Sequence, residues 1–148
     1  MTRAEAFVRT LEPRSTATIV TLSGVLGAGK TAFAQGIAQA LGVTEMVTSP
    51  TFVLEKIYQL PALSGIEGEN QKFSHLIHID AYRLKGAEEL EVLGWRELIA
   101  EPGNLIVLEW PEKVADAIPS DAIRIHFEIE GDGRIIDITR RTLAERSE

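Results

Sequence analysis

The spacing of apolar residues changes several times along the chain, and each change marks an element. Ala4–Leu11 carries the weak periodicity of a short helix. Ala17–Leu22 follows the turn-forming Pro13-Arg14-Ser15-Thr16 and halts at Ser23-Gly24, which predicts a compact strand rich in β-branched residues. From Lys30 the period lengthens. Phe33, Ile37 and Leu41 recur every fourth position among Ala34, Ala38 and Ala40, which predicts a helix laid on a sheet, with Gly42 as its C-cap.

Thr48–Tyr58 reads as a loop feeding a strand, with Pro50 steering Ser49 away from helical geometry. Leu60–Lys72 contains Pro61, Gly65 and Gly68 among polar residues, which predicts an exposed, mobile loop. His75–Ile79 is a further strand, followed by Asp80. Ala87–Leu93 and Trp95–Ala100 are short helices parted near Gly94. Leu105–Leu108 is another strand and runs into Glu109-Trp110-Pro111, and Lys113–Ile118 adds a helical turn or two. Ala122–Ile129 and Arg134–Ile138 alternate on either side of Gly131-Asp132-Gly133, the signature of a terminal hairpin. Early strands interleaved with helices, then a hairpin, predict an α/β sandwich with a mixed central sheet.

Length and composition narrow the class. A chain of 148 residues with 45% apolar and 25% charged positions fits one domain with a sizeable core. No apolar run approaches the roughly 20 residues that cross a bilayer. The opening MTRAEAFVRTLEPRS lacks the apolar region of a secretory signal. The absence of cysteine rules out disulfides and thiolate metal sites and is compatible with the cytoplasm, the expected location. A net charge of −7 argues against independent nucleic-acid binding, though not against a local basic patch or a partner protein that holds RNA.

The chemistry is concentrated at Gly24-Val25-Leu26-Gly27-Ala28-Gly29-Lys30-Thr31, a full match to G-x-x-x-x-G-K-[ST] between a predicted strand and a predicted helix. Glycines admit the close backbone approach that phosphate oxygens require, and the helix N-terminus favours negative charge. Lys30 supplies a cation for the β- and γ-phosphates and Thr31 a hydroxyl for Mg²⁺. The expected cofactors are therefore ATP or ADP and Mg²⁺. The loop spacing does not fit the G-x-G-x-x-G of dinucleotide folds.

Mg²⁺ takes one or two carboxylates besides phosphate and water. Asp80 and Glu109 each end an apolar strand, and strand carboxyl ends converge on the ligand crevice of an open α/β sheet. A solvent-facing strand cap is the alternative for either acid alone. His75 and His78 stand three apart on a strand and so face opposite sides, which excludes a paired-histidine metal site and leaves His78 a structural or hydrogen-bonding group.

Four motifs in series, LSGVLGAGKT, TSPTF at Thr48–Phe52, HIDAYRL at His78–Leu84 and VLEWPEK at Val107–Lys113, resemble the TsaE (YjeE) family of bacterial tRNA-modification ATPases. The resemblance spans Ile19–Lys113 and implies a P-loop NTPase-like three-layer sandwich with a mixed central sheet and a C-terminal β-hairpin, one ATPase domain over residues 1–148. It implies that Ser49–Phe52 is a switch-like segment, with Thr51 acting in hydrolysis or in positioning near the γ-phosphate. Thr31 and Glu109 become the Mg²⁺ ligands, and Asp80 either binds the metal through water or orients the attacking water. Trp110 is expected to pack against the nucleotide region or to serve as a core or interface aromatic. Tyr82 and Arg83 brace the switch, meet a partner, or simply pack at the surface. Val25 departs from the acidic or amide residue frequent there in the family, which puts a side-chain contact at the loop rim in doubt.

The resemblance further implies ATP hydrolysis in support of threonylcarbamoyl transfer to the adenosine beside the anticodon of ANN-decoding tRNAs. The expected partners are TsaB and TsaD, with tRNA reached indirectly through the complex and the transfer chemistry lying outside this chain. A compact P-loop small-molecule kinase and a nucleotide-gated scaffold are the alternatives. The kinase lacks support, since no Arg-rich lid or acceptor subdomain is evident.

Overall fold

The computed structural model describes residues 2–25, 29–44 and 55–140. The chain runs α1 (Arg3–Arg9), β1 (Thr18–Gly24), α2 (Lys30–Ala40), β2 (Glu55–Gln59), β3 (His75–Asp80), α3 (Trp95–Ala100), β4 (Asn104–Glu109), β5 (Ile123–Glu130) and β6 (Gly133–Thr139). Two 3₁₀ segments, Ala87–Leu93 and Pro111–Ala117, flank α3 and β4.

The strands form one six-stranded sheet in the order β2-β3-β4-β1-β5-β6. The inner strands β3, β4, β1 and β5 are parallel, and the edges β2 and β6 are antiparallel to their neighbours. Alternation along each strand divides the apolar side chains between two cores. Val20, Leu22, Leu105 and Val107 pack toward α1 and α2 with Phe7, Phe33 and Ile37. Ile19, Ile106 and Leu108 face the other way, toward Leu84, Leu90, Trp95 and Val114. The result is the expected three-layer α/β sandwich with a mixed sheet and a terminal hairpin.

Burial explains the strand patterns. β4 is buried throughout, and its Leu105–Leu108 is an unbroken apolar run, as a strand covered on both faces requires. β5 has one covered face, so buried Ile123, Ile125 and Phe127 alternate with exposed Arg124, His126 and Glu128. β1 runs on past Leu22 because Ser23 and Gly24 pair with His126 and Phe127 of β5. Gly94, at φ 79°, parts the segment Ala87–Leu93 from α3 where the sequence placed the break. The helical turns before Ile118 begin earlier than expected, at Pro111. Ala87–Leu93, expected as a short helix, is a 3₁₀ helix.

The 60–72 loop is held to the core more tightly than its Pro, Gly and polar content suggests. Ser64 Oγ and the Gly65 amide both donate to the Ala40 carbonyl at 2.9 Å, and Gln71 Nε2 donates to the Leu41 carbonyl at 2.7 Å. A helix ends with carbonyls that have no partner inside the helix, and here the loop supplies donors at the end of α2. Lys72 Nζ extends the anchorage to the Leu11 carbonyl at 2.8 Å, and Ile66 packs against the core.

Candidate functional site

The site lies at the carboxyl ends of β1, β3 and β4, where the first turn of α2 meets the sheet. Gly24 closes β1 at φ 131°, and a Cβ there would lie 2.2 Å from the Phe127 carbonyl oxygen. No side chain fits that approach. Val25 follows, largely exposed. Leu26, Gly27 and Ala28 lie outside the described residues, as do Ser49, Pro50, Thr51 and Phe52. Gly29, at φ 102°, is the N-cap of α2 and contributes no side-chain cap. Among the described residues, a Cβ on it would meet nothing within 4 Å at the start of this 11-residue helix. First-turn amides and the positive end of the helix dipole make such a position favourable for an anion.

Lys30 is the first residue of α2 and is buried. Its Nζ donates to the Gly24 carbonyl at 2.6 Å and stands 3.5 Å from the centroid of the Trp110 ring. Burial lowers its pKa from the ordinary lysine value, and the charges of Glu109, Glu112 and Asp80 act against that shift. Thr31 follows, half-buried.

The two acids are brought together. Asp80 and Glu109 are register partners across β3 and β4. By alternation with Leu76, Leu105 and Val107, both lie on the α2 face of the sheet. Asp80 Oδ1 accepts from the Tyr82 amide at 3.0 Å, while the Ala81 amide donates to the Glu109 carbonyl at 3.0 Å. These bonds fix the turn that follows β3. Glu109 is buried, and its Oε2 lies 2.6 Å from Nε2 of buried His78. His78 shares the α2 face. His75 lies at the far end of β3 beside Ser74, so the two histidines stay apart as their spacing required.

Trp110 is the one described non-glycine residue with positive φ, at 62°. A bulky residue there is a backbone outlier. Its amide donates to the Leu22 carbonyl at 3.1 Å, which turns the chain back over β1 and lays the indole on Lys30. Tyr82 also packs against the indole, its ring tilted by 56° and its centroid 5.0 Å from that of Trp110. Arg83 is exposed and is not drawn into the cluster. Sequence reasoning passed over Glu112, whose charge acts on Lys30. It also missed Ser23, whose Oγ lies 2.8 Å from His126 Nδ1 on β5. Only the strand-to-strand register reveals that second pair.

Two cavities open near the end of β1 and the start of α2. One of about 440 Å³ is lined by Gly29, Ala32, Phe33, Gly36, Phe127 and Arg134. The other, about 570 Å³, opens beside Gly24, Val25, Trp110, His126 and Glu128. Among the described residues, no three His, Asp or Glu side chains form a closed metal cage. The Asp80 and Glu109 carboxylates, register partners at the ends of β3 and β4, would offer hard oxygen donors of the kind a divalent cation takes.

The family profile described as threonylcarbamoyl adenosine biosynthesis protein TsaE matches residues 1–138. The TsaE protein of Rickettsia bellii is 35% identical over 138 residues, covering 92% of this chain and 85% of its own. That of Borreliella burgdorferi is 35% identical over 121 residues, 81% of this chain and 80% of its own. A crystal structure of Bacillus subtilis YdiB superposes with a TM-score of 0.69 at 28% identity, covering 97% of this chain and 80% of that one. With its four motifs in order and a family match across nearly its whole length, the chain belongs to the TsaE family.

Proposed function

We propose that this chain is a single-domain, Mg²⁺-dependent ATPase that supports threonylcarbamoyl modification of the adenosine beside the anticodon in tRNA. It acts in the cytoplasm, with TsaB and TsaD as partners and tRNA reached through them. The observation that carries the reading is the convergence of Lys30, Asp80 and Glu109 beside the N-terminus of α2. Phosphate is recognised by first-turn amides and a lysine, and nearby carboxylates recognise a hard divalent cation. Family membership supplies the tRNA-modification context.

In this reading Lys30 exchanges the Gly24 carbonyl for the β- and γ-phosphates. Thr31 and Glu109 hold Mg²⁺, and Asp80 acts through water or orients the attacking water. The metal supplies neutralisation of developing phosphate charge. Thr51 serves the γ-phosphate from the segment that precedes β2. Binding energy at the phosphates can order such a segment and hydrolysis can release it, which makes nucleotide state a control on partner assembly.

Two measurements test this. Lys30→Ala should weaken ATP binding or phosphate release by at least tenfold, as expected for loss of a charge-assisted contact worth roughly 1.5–3 kcal/mol. Wild-type values in calorimetry and phosphate release, with the fold intact, would remove Lys30 from this role. Mixing the chain with TsaB and TsaD under ADP, ATP or a non-hydrolysable analogue should give nucleotide-dependent association by size-exclusion scattering. Absence of association in every nucleotide state would overturn the partner assignment.

A further inference from the structure

We propose that His78 is a positioning residue that fixes which oxygen of Glu109 faces the nucleotide, by holding the other oxygen from behind the site.

The geometry is specific. His78 Nε2 lies 2.6 Å from Glu109 Oε2, and both side chains are almost fully buried, at 2% and 3% exposure. His78 Nδ1 is also buried and has no hydrogen-bond partner among the described residues. That orphan nitrogen decides the direction of the bond. With the ring proton on Nε2, the imidazole donates to a carboxylate, and Nδ1 is left as an acceptor with an unused lone pair. In the opposite tautomer Nδ1 would carry a buried N–H with nothing to receive it, and orphaned buried N–H groups are the rarer and costlier kind. The short separation suits an N–H donor to a carboxylate.

The topology explains why a histidine serves here. His78 is register partner to Val107 and therefore sits diagonally behind Glu109, on the same face of the next strand. The imidazole is rigid and long enough to span that diagonal. Lys56 is the register partner of His78 on β2, and its ammonium lies over the Tyr58 ring, 5.2 Å from the centroid. With Oε2 committed to His78, Oε1 is the oxygen left for a metal ligand. Glu109 is then presented with one oxygen and without rotational freedom. Mutating residues that orient a metal-ligating group from outside the ligand set typically costs about 10- to 100-fold in metal affinity.

This inference rests on the Mg²⁺–nucleotide reading for its consequence, but not for its geometry. The test therefore has two independent arms. Long-range ¹H–¹⁵N spectra of nucleotide-free protein should show His78 as a single Nε2–H tautomer, with a pyridine-like Nδ1 signal. An Nδ1–H tautomer, or averaging between the two, would overturn the proposal whatever the protein binds.

The second arm uses isosteres. The side-chain nitrogen of Gln overlays Nε2 of histidine, and that of Asn overlays Nδ1. His78→Gln should keep the Mg²⁺ half-saturation of ATP binding close to wild type. His78→Asn should raise it by roughly 10- to 100-fold, the range for loss of such outer partners. Calorimetric titration of Mg²⁺ at fixed ATP reads both. Equal effects of Gln and Asn would sink the positioning role and leave His78 a packing residue. If wild type itself shows no Mg²⁺ coupling, the metal reading fails, and the spectra still decide the tautomer. Should His78→Asn not fold, His78→Gln and the wild-type spectra carry the same decision.

Discussion

The Lys30 ammonium stands 3.5 Å above the Trp110 indole centroid while donating to the Gly24 carbonyl 2.6 Å away. Both partners belong to the loop it serves or to the strand end beside it, so the charge is satisfied locally. A phosphate ligand must draw Lys30 from this arrangement. The indole then loses a cation from its face, which ties an optical signal to the binding event.

The first prediction follows from that contact. The chain has two tryptophans, and Trp95 is buried inside the core that Trp110 packs against from its edge, with its Nε1 donating to the Ala117 carbonyl at 3.3 Å. Adding ATP should therefore change the emission of Trp110 and leave that of Trp95 constant. The change should persist in Trp95→Phe and vanish in Trp110→Phe. Persistence of the full signal in Trp110→Phe would place the nucleotide elsewhere.

Burial of Lys30 also predicts a pH dependence. Its folded pKa lies below the unfolded value of 10.5 because burial disfavours the ammonium. Between those two values the unfolded chain holds more protons than the folded one, so folding stability rises with pH. Lys30→Met lacks this contribution. The stability of Met variant minus wild type, followed by denaturant unfolding, should therefore fall as pH climbs through that window toward 10.5. A difference independent of pH would mean that Lys30 is not desolvated in the folded protein.

How much of this was legible in the sequence follows from where the physics is local. Leu105–Leu108 and the alternation of Ala122–Ile129 announce strands because burial on two faces or one writes directly into residue type. The glycine pattern announces a sharp turn between β1 and α2, and Gly24 and Gly29 both take the positive φ that few other residues accept. The neighbourhood of Asp80 and Glu109 was a guess about strand ends until register made them partners. The grip of His78 on Glu109 spans 31 positions, and the Ser23–His126 pair spans 103. Such pairings depend on strand order, which the chain does not spell out. The anchored 60–72 loop went unrecognised for a related reason, because its partners are carbonyls of α2 and carry no residue-type signal.

Gly24→Ala tests the loop backbone itself. A methyl group would meet the Phe127 carbonyl at 2.2 Å in a strand-to-strand contact that cannot open without breaking β1 from β5, and φ of 131° adds strain. Destabilisation of about 3 kcal/mol is expected, with loss of nucleotide binding. Gly29→Ala would also be strained at φ 102° but meets no atom within 4 Å among the described residues, so its cost should be about half as large. Thermal or denaturant unfolding of the two variants compares them. Equal losses would show that strain, and not the Phe127 contact, sets the cost at Gly24.

The last prediction separates the two acids, which the sheet places side by side but in unlike surroundings. Glu109 is buried and bonded to His78, whereas Asp80 accepts from the Tyr82 amide at 3.0 Å and is only half-buried. A carboxylate held rigidly beside Lys30 suits direct metal binding. One at the turn suits a water-mediated role. Glu109→Gln removes the charge that would face the proposed metal, and it should shift the Mg²⁺ requirement of ATP binding by at least tenfold, as loss of a charged hydrogen-bonding group worth roughly 1.5–3 kcal/mol implies. Asp80→Asn should leave ATP affinity within about threefold and lower turnover by roughly 10²-fold or more, the scale of a positioned acid–base or water-orienting group. Magnesium titrations of binding and phosphate release on both variants give the split. The reverse pattern would exchange the two roles. Wild-type behaviour from both would remove the strand ends from the chemistry and leave the phosphate loop to act with other groups.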